Sequence, residues 1–310
     1  MISVLIPNFN GLKYLYSCLE SVYSQTYTDF EIIVIDNASH DESVEYIQHN
    51  YPMVRIIANN QNKGFSGAIN DGIQIAQGEY IFLLNNDTII RPDCLSNLIS
   101  ATRNYPNYHM YAAKMIYPDG RINSAGICFS ISGAAWDRGS SKSDGGEYSS
   151  FIEVLGPSGG AGLYRKELFS VLGGFDPDFF MYMEDVDFAL RARLSGYSCL
   201  YVPNVEVIHY HGGTAGVGTP LAVYYGNRNL IWCTLKNMPV SLLFLFFPII
   251  FFRSLLVFIY YIGKGMGNIA FQARVDALKE VPRILTCHRK KQKNCSCNEL
   301  IRKIYPFFRI

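Results

Sequence analysis

The 310-residue chain is short of the features that most readily betray a function. No GxGxxG follows its first apolar run and no GxxxxGK(S/T) occurs anywhere, so neither a dinucleotide fingerprint nor a P-loop is present to cradle phosphates. The stretch "GPSGGAG" (156–162) is glycine-rich but lacks the Lys-Ser/Thr ending. A dinucleotide-dependent oxidoreductase therefore lacks its glycine signature. The eight cysteines include no CxxC pair and are too scattered for a disulfide scaffold, which points to a reduced, cytosolic protein. Cys295-Ser296-Cys297, near His288, has metal-ligand spacing, yet a short C-x-C in a basic tail is usually incidental. Charge is scarce at 17% of residues and sums to +1, but residues 264–310 hold 11 Lys/Arg against 3 Asp/Glu, leaving residues 1–263 at −7. A body without a basic surplus makes nucleic acid an unexpected partner. A charged start followed by an apolar stretch is missing too, because Ile2–Ile6 already reads as core, so a cytoplasmic N-terminal domain without a signal peptide is expected.

What the chain has is regular. Four runs rich in Ile, Val and Leu, "ISVLIP" (2–7), "EIIVID" (31–36), "VRIIAN" (54–59) and "YIFLLN" (80–85), alternate with helical apolar spacings such as Leu12, Leu15, Leu19 and Val22, or Ala68, Ile69, Ile73 and Ala76. The alternation predicts an α/β fold, a mostly parallel Rossmann-like sheet with helices on both faces. Ligands of such sheets sit beyond the carboxyl ends of the strands. Polar residues cluster there: Pro7-Asn8, Asp36-Asn37, Asn59-Asn60 and Asn85-Asn86-Asp87. Any one of these is more often a simple turn, but four together describe a pocket. Glu184, Asp185 and Asp187 open a predicted helix that stops near Gly196. Acids in a first turn are favoured by about 0.3–1 kcal/mol each, so helix-start chemistry alone would account for them. Glycines at 159, 160, 162, 173 and 174 suit a substrate that approaches the backbone closely. Asp187 and Arg191, four residues apart, are expected to pair, and residues 132–150, rich in Gly and Ser, read as a mobile loop shaping the pocket.

Six motifs, "SVLIPNFNG", "IIVIDNAS", "NKGFSGAINDGI", "GEYIFLLNNDT", "GAGLYRKELFSVLGGFDPDFFMYMEDVDFALRARLSGY" and "VIHYHGGT", together resemble family 2 inverting glycosyltransferases over about residues 1–235. The nearest branch is the bacterial rhamnosyltransferase-like one that builds O-antigen, capsule and other cell-surface polysaccharides. The resemblance implies a GT-A catalytic domain over 1–235, using a nucleotide sugar (dTDP-rhamnose, or alternatively a UDP-sugar) and a lipid-linked saccharide acceptor. It assigns Pro7, Asn8, Asn10, Asp36, Asn37, Lys63, Gly64, Asn85 and Asn86 to the nucleotide sugar, and Gly159, Gly160 and Glu184 to the acceptor. Asp185 becomes the general base, with Glu184 beside it as the other acid of the catalytic motif. Asp87 becomes the ligand of a divalent cation, Mg2+ or Mn2+, that bridges the diphosphate. Where the family usually writes Asp-x-Asp this chain has Asn85 first, and Mg2+ needs only one or two protein carboxylates. His209 is the further metal or phosphate ligand, with His211 its competitor, and Arg228 of "YYGNRNLIW" a diphosphate partner. A catalytically silent scaffold of the same fold is the contrasting reading; the presence of both Asp185 and His209 speaks against it.

Residues 236–310 read as a hydrophobic and basic membrane-associating region. "PVSLLFLFFPIIFFRSLLVFIYYIG" (239–263) is long enough to span, but Pro248 and Arg253 interrupt it, and "HRKKQK" (288–293) should stay inside with the catalytic domain. An in-plane helix, or a re-entrant hairpin bent near Pro248, on the cytoplasmic face of the membrane meets both demands. The competing reading is a buried helix pair at a homo-oligomer interface.

Overall fold

The computed structural model describes residues 1–210, 216, 218–288 and 304–306. The first half alternates strand and helix: β1 (Ile2–Asn8), α1 (Leu12–Tyr23), β2 (Phe30–Asp36), α2 (Ser43–Asn50), β3 (Arg55–Ala58), α3 (Gly64–Ile75) and β4 (Tyr80–Leu84). Beyond it come β5 (Thr88–Ile90), α4 (Cys94–Asn104), β6 (Met110–Ile116), β7 (Ile122–Ser124), β8 (Ile127–Phe129), β9 (Ala135–Asp137), β10 (Ile152–Val154), β11 (Ala161–Arg165), α5 (Glu167–Leu172), α6 (Glu184–Leu194) and β12 (Cys199–His209). Helices α7 (Pro220–Asn237), α8 (Val240–Gly263), α9 (Gly267–Lys279) and α10 (Val281–His288) follow.

The main sheet runs β10-β12-β6-β11-β4-β1-β2-β3, with β5 added to β12 and β7 to β6. Strands β3, β2, β1 and β4 are parallel, as the alternation predicts, whereas β11 lies antiparallel between β4 and β6. The sheet is therefore mixed in its second half. Successive residues of β1 and β2 feed opposite faces: Ile2, Val4, Ile6, Ile32 and Val34 pack with α1, α2 and α4, while Leu5, Ile33 and Ile35 pack with α3, α5 and α6. Fully burying each such side chain contributes about 1.5–3 kcal/mol, which is why the middles of these strands, Val4–Ile6 and Ile32–Ile35, are apolar on both faces.

A third cluster joins the sheet-bearing part to the C-terminal helices, with Phe179 and Leu190 against Trp232, Cys233, Leu242, Ala277 and Ile284. Thr219 caps α7, its hydroxyl accepting from the Ala222 N–H at 3.3 Å, and Pro220 supplies a fixed φ at the first helical position. Helix α8 runs unbroken for 24 residues through Pro248, so the chain makes no hairpin there.

Candidate active site

The carboxyl ends of β1, β2 and β4 build one wall. Asp36 Oδ1 accepts from Asn8 Nδ2 at 3.0 Å, and Asn8 Oδ1 accepts from Asn86 Nδ2 at 2.7 Å. A carboxylate only accepts, so buried Asp36 fixes which way the Asn8 amide points and, through it, the Asn86 amide. Asn37 orders the loop before α3 in the same manner: its Nδ2 donates to Asn62 Oδ1 and Gly64 O at 2.8 and 3.0 Å, and its Oδ1 accepts from the Lys63 N–H at 3.1 Å. Lys63 Nζ turns to Asp71 at 2.7 Å, and exposed Asn10 accepts from the His40 N–H at 2.7 Å. Those two and Asp36, expected at the nucleotide sugar, do not line the cavity of about 510 Å³ that Pro7, Asn8, Asn37, Gly64, Asn85 and Asn86 share.

The ladder between β5 and β12 opposes His209 to Thr88, which carries the imidazole over Asp87. His209 Nε2 lies 3.2 Å from Asp87 Oδ1, and His209 Nδ1 lies 2.9 Å from Asn123 Oδ1. With the Nδ1 proton given to Asn123, Nε2 and the Asp87 carboxylate converge as two donor atoms, both buried. Among the described residues no cluster of three or more His, Cys, Asp or Glu is placed to hold a metal. A two-donor set suits a hard cation that takes its remaining ligands from phosphate and water. His211, the competitor for this place, lies outside the described residues.

The opposite wall is the start of α6. Asp185 Oδ2 accepts from the Gly159 N–H and Oδ1 from the Val186 N–H, both at 2.8 Å. Burial raises the Asp185 pKa and those N–H groups hold it back. Glu184 is pushed up much further, by burial first and by the Asp185 charge second, and its buried Oε2 has no hydrogen-bond partner among the described residues. Of the two, Glu184 is therefore the acid held more strongly in its protonated form and Asp185, with two N–H donors, the one more readily ionised.

Gly159 and Gly160 separate the two walls. A Cβ on Gly159 would stand 3.4 Å from Asp185 Oδ2; one on Gly160 would stand 2.6 Å from Met115 Cε and 3.5 Å from His209 Cε1. Neighbouring Cα atoms are about 3.8 Å apart, so the Asp185 side and the Asp87–His209 side meet across one peptide. Asp87, Gly159, Gly160, Glu184, Asp185 and His209 all line the cavity that holds the asparagines.

Asn123, Trp136 and Asp137 line it as well and were not anticipated. Asp137 has its pKa raised to about 6, chiefly by burial and then by Asp185, against hydrogen bonds from Ser124 and Ser158 and the nearby His209. Part of the stretch expected to be a mobile loop is strand β9, paired antiparallel with β8, and this ladder delivers Trp136 and Asp137 to the site. Trp136, one of only two tryptophans and followed directly by an acid, was the available signal. Arg228 is a correction in the other direction. It lies outside this cavity, in a separate cleft of about 350 Å³ with Asp178, Trp232, Asp276 and Arg283, where its guanidinium sits 4.1 Å over the Trp232 ring.

Residues 3–173, more than half of the chain, match the sequence profile of Glycosyl transferase family 2. The chain belongs to that family. It is 25% identical over 244 residues to the N-acetylglucosaminyl-diphospho-decaprenol L-rhamnosyltransferase of Mycobacterium tuberculosis, covering 70% of this chain and 78% of the relative. It is 27% identical over 229 residues to the uncharacterized protein y4gI of Sinorhizobium fredii, covering 70% of this chain but only 25% of that longer protein. The crystal structure of GalNAc-T7 with UDP, GalNAc and Mn2+ superposes with a TM-score of 0.60 at 18% identity, over 76% of this chain and 48% of that one. The family 2 chain thus has the GT-A type of fold, a mixed α/β sheet flanked by helices.

Proposed function

We propose that this family 2 chain is an inverting glycosyltransferase that moves a sugar, rhamnose from dTDP-rhamnose as the first candidate, onto a lipid-linked saccharide at the cytoplasmic face of the membrane. The observation that carries the reading is the meeting of Asp185 and the Asp87–His209 pair in one cavity across the Gly159–Gly160 step. The asparagine-lined wall receives the nucleotide and Asp185 faces the acceptor. The Asp185 carboxylate takes the proton of the acceptor hydroxyl as its oxygen bonds to the anomeric carbon. The bond from that carbon to the diphosphate oxygen breaks on the opposite face, and the electron pair leaves with the nucleoside diphosphate. One displacement inverts the centre, and a positioned base contributes about 10²–10⁴-fold. Glu184, whose burial favours the protonated form, would then donate to an acceptor oxygen. Asp87 and His209 would hold a divalent cation, which when bound neutralises charge on the leaving diphosphate.

Support for the donor and acceptor classes comes from the likeness to the mycobacterial rhamnosyltransferase, and for a cation from the Asp87–His209 donor pair and the fold's likeness to a Mn2+-bound structure. The purified full chain, given dTDP-rhamnose or a panel of UDP-sugars with N-acetylglucosaminyl diphosphate polyprenol, should release nucleoside diphosphate with Mn2+ and lose that activity in EDTA. Silence with every donor would favour a scaffold, and turnover untouched by EDTA would remove the cation. The accepted donor should also raise thermal stability by about 2.7 kcal/mol at about 100 times its Kd.

A further inference from the structure

The turn that leads into α6 is wound the wrong way for its residues. Phe180 (φ 64), Tyr182 (φ 67) and Met183 (φ 70) all have positive φ without being glycine, a region that side chains with a Cβ avoid. Phe180 is the centre of a tight turn closed by the Met181 N–H donating to Phe179 O at 2.7 Å, the rare positive-φ form of the three-residue turn. Such conformations persist only where the surroundings over-determine them. Here the turn ends on the site: the Met183 carbonyl accepts from the Asp187 N–H at 2.9 Å as the first rung of α6, and Glu184 and Asp185 are the next two residues.

The surroundings that hold it come from α7. Asn229, wholly buried, directs Nδ2 at Phe179 O, Met181 O and Tyr182 O, each at 2.8 Å. Its two N–H bonds face three carbonyls, so the amide grips the whole turn rather than one peptide. Its Oδ1 accepts from Arg228 Nε at 2.9 Å, which fixes the amide against rotation, and Arg228 Nη2 itself donates to Asp178 O at 2.8 Å. On the other side Gly64 clears the space: a Cβ there would fall 2.3 Å from Phe180 O.

We propose that Asn229, oriented by Arg228, is a positioning residue for the transfer step, holding the left-handed turn 179–183 so that Glu184 and Asp185 face the acceptor. This rests on the reading of Asp185 as the base and gives Arg228 a role other than binding diphosphate.

The test uses the full chain with Asn229→Asp, which keeps the shape but presents an acceptor to three carbonyls, and Asn229→Ala. Misplacement by 1 Å can cost about 100-fold in rate, so kcat for dTDP release from dTDP-rhamnose should fall by about that factor while the donor KM stays within about threefold. Hydrogen exchange of amides 179–187 should quicken while those of β1 and β4 keep their protection. Met183→Gly, which makes positive φ costless, should restore part of the lost kcat in the Asn229→Ala background. The exchange measurement needs no substrate and decides the clamp even if another donor is used in nature. Unchanged exchange over 179–187 in both variants, or kcat within threefold of the parent, overturns the proposal, as does loss of protection throughout the sheet without rescue by Met183→Gly. Asp185→Asn in the unmodified chain keeps the two readings apart: if that variant stays active the base assignment falls, while the exchange result still judges Asn229.

Discussion

At the scale of single residues, Asp137 offers a test that needs no substrate. Its pKa is raised from 3.8 to about 6, so between those values the folded chain binds more protons than the unfolded chain. Stability from this group is therefore greatest below pH 4, falls as pH rises through about 6, and stays low above it. A shift of that size in a half-buried group amounts to roughly 2 kcal/mol after allowance for solvent. Asp137→Asn should stabilise metal-free protein by about that much at pH 8 and by nothing at pH 4 in thermal melts; a difference independent of pH would contradict the burial argument. That Asn8, Asn86 and Asp87 share one cavity was legible because they interrupt apolar strands at their carboxyl ends, whereas Asp36 does not line that cavity and reaches it only through the Asn8 amide. Asp137 and Asn123 were not, because three-residue strands such as β7 and β9 leave too short a pattern to place a side chain. Arg228 misled because the spacing of a helix says which residues share a face but not which cleft that face meets.

At the scale of elements, α8 stands out among the described residues for its exposed apolar surface. Its mean hydropathy is 2.6 with 6% of its most apolar window buried, and Phe244, Phe247 and Phe251 form a stripe at helical spacing, 79%, 62% and 60% exposed. Its inner side is tied to α9, where Arg274 donates to Ser254 O at 3.0 Å. On vesicles containing anionic lipid, Phe244→Glu with Phe251→Glu should weaken partitioning at least about 100-fold, since each buried Phe contributes about 1.5–3 kcal/mol. Partitioning equal to that of the parent chain would point instead to a protein partner for this face. The apolar run was plain in the sequence, but Pro248 suggested a bend; the helix absorbs the missing N–H because proline removes a single rung. The reversal of β11 was equally hidden, for a fully buried antiparallel strand has the same composition as a parallel one.

At the scale of the whole molecule, the sheet joins a first half, read from the sequence by its alternation, to a second half whose glycines and carboxylates had roles only by family resemblance until β11, β12 and α6 brought them together. The second half could not be assembled from periodicity, since Gly159 and His209 are 50 residues apart and meet only through β6 and β11. The central claim is that Asp185 removes the acceptor proton while the Asp87 side bears the departing diphosphate. Asp185→Asn measures it most directly, with turnover and donor binding followed on the same preparation. The account predicts turnover lower by about 10²–10⁴-fold with donor affinity nearly unchanged; turnover within tenfold of the parent, at equal donor binding, would contradict it.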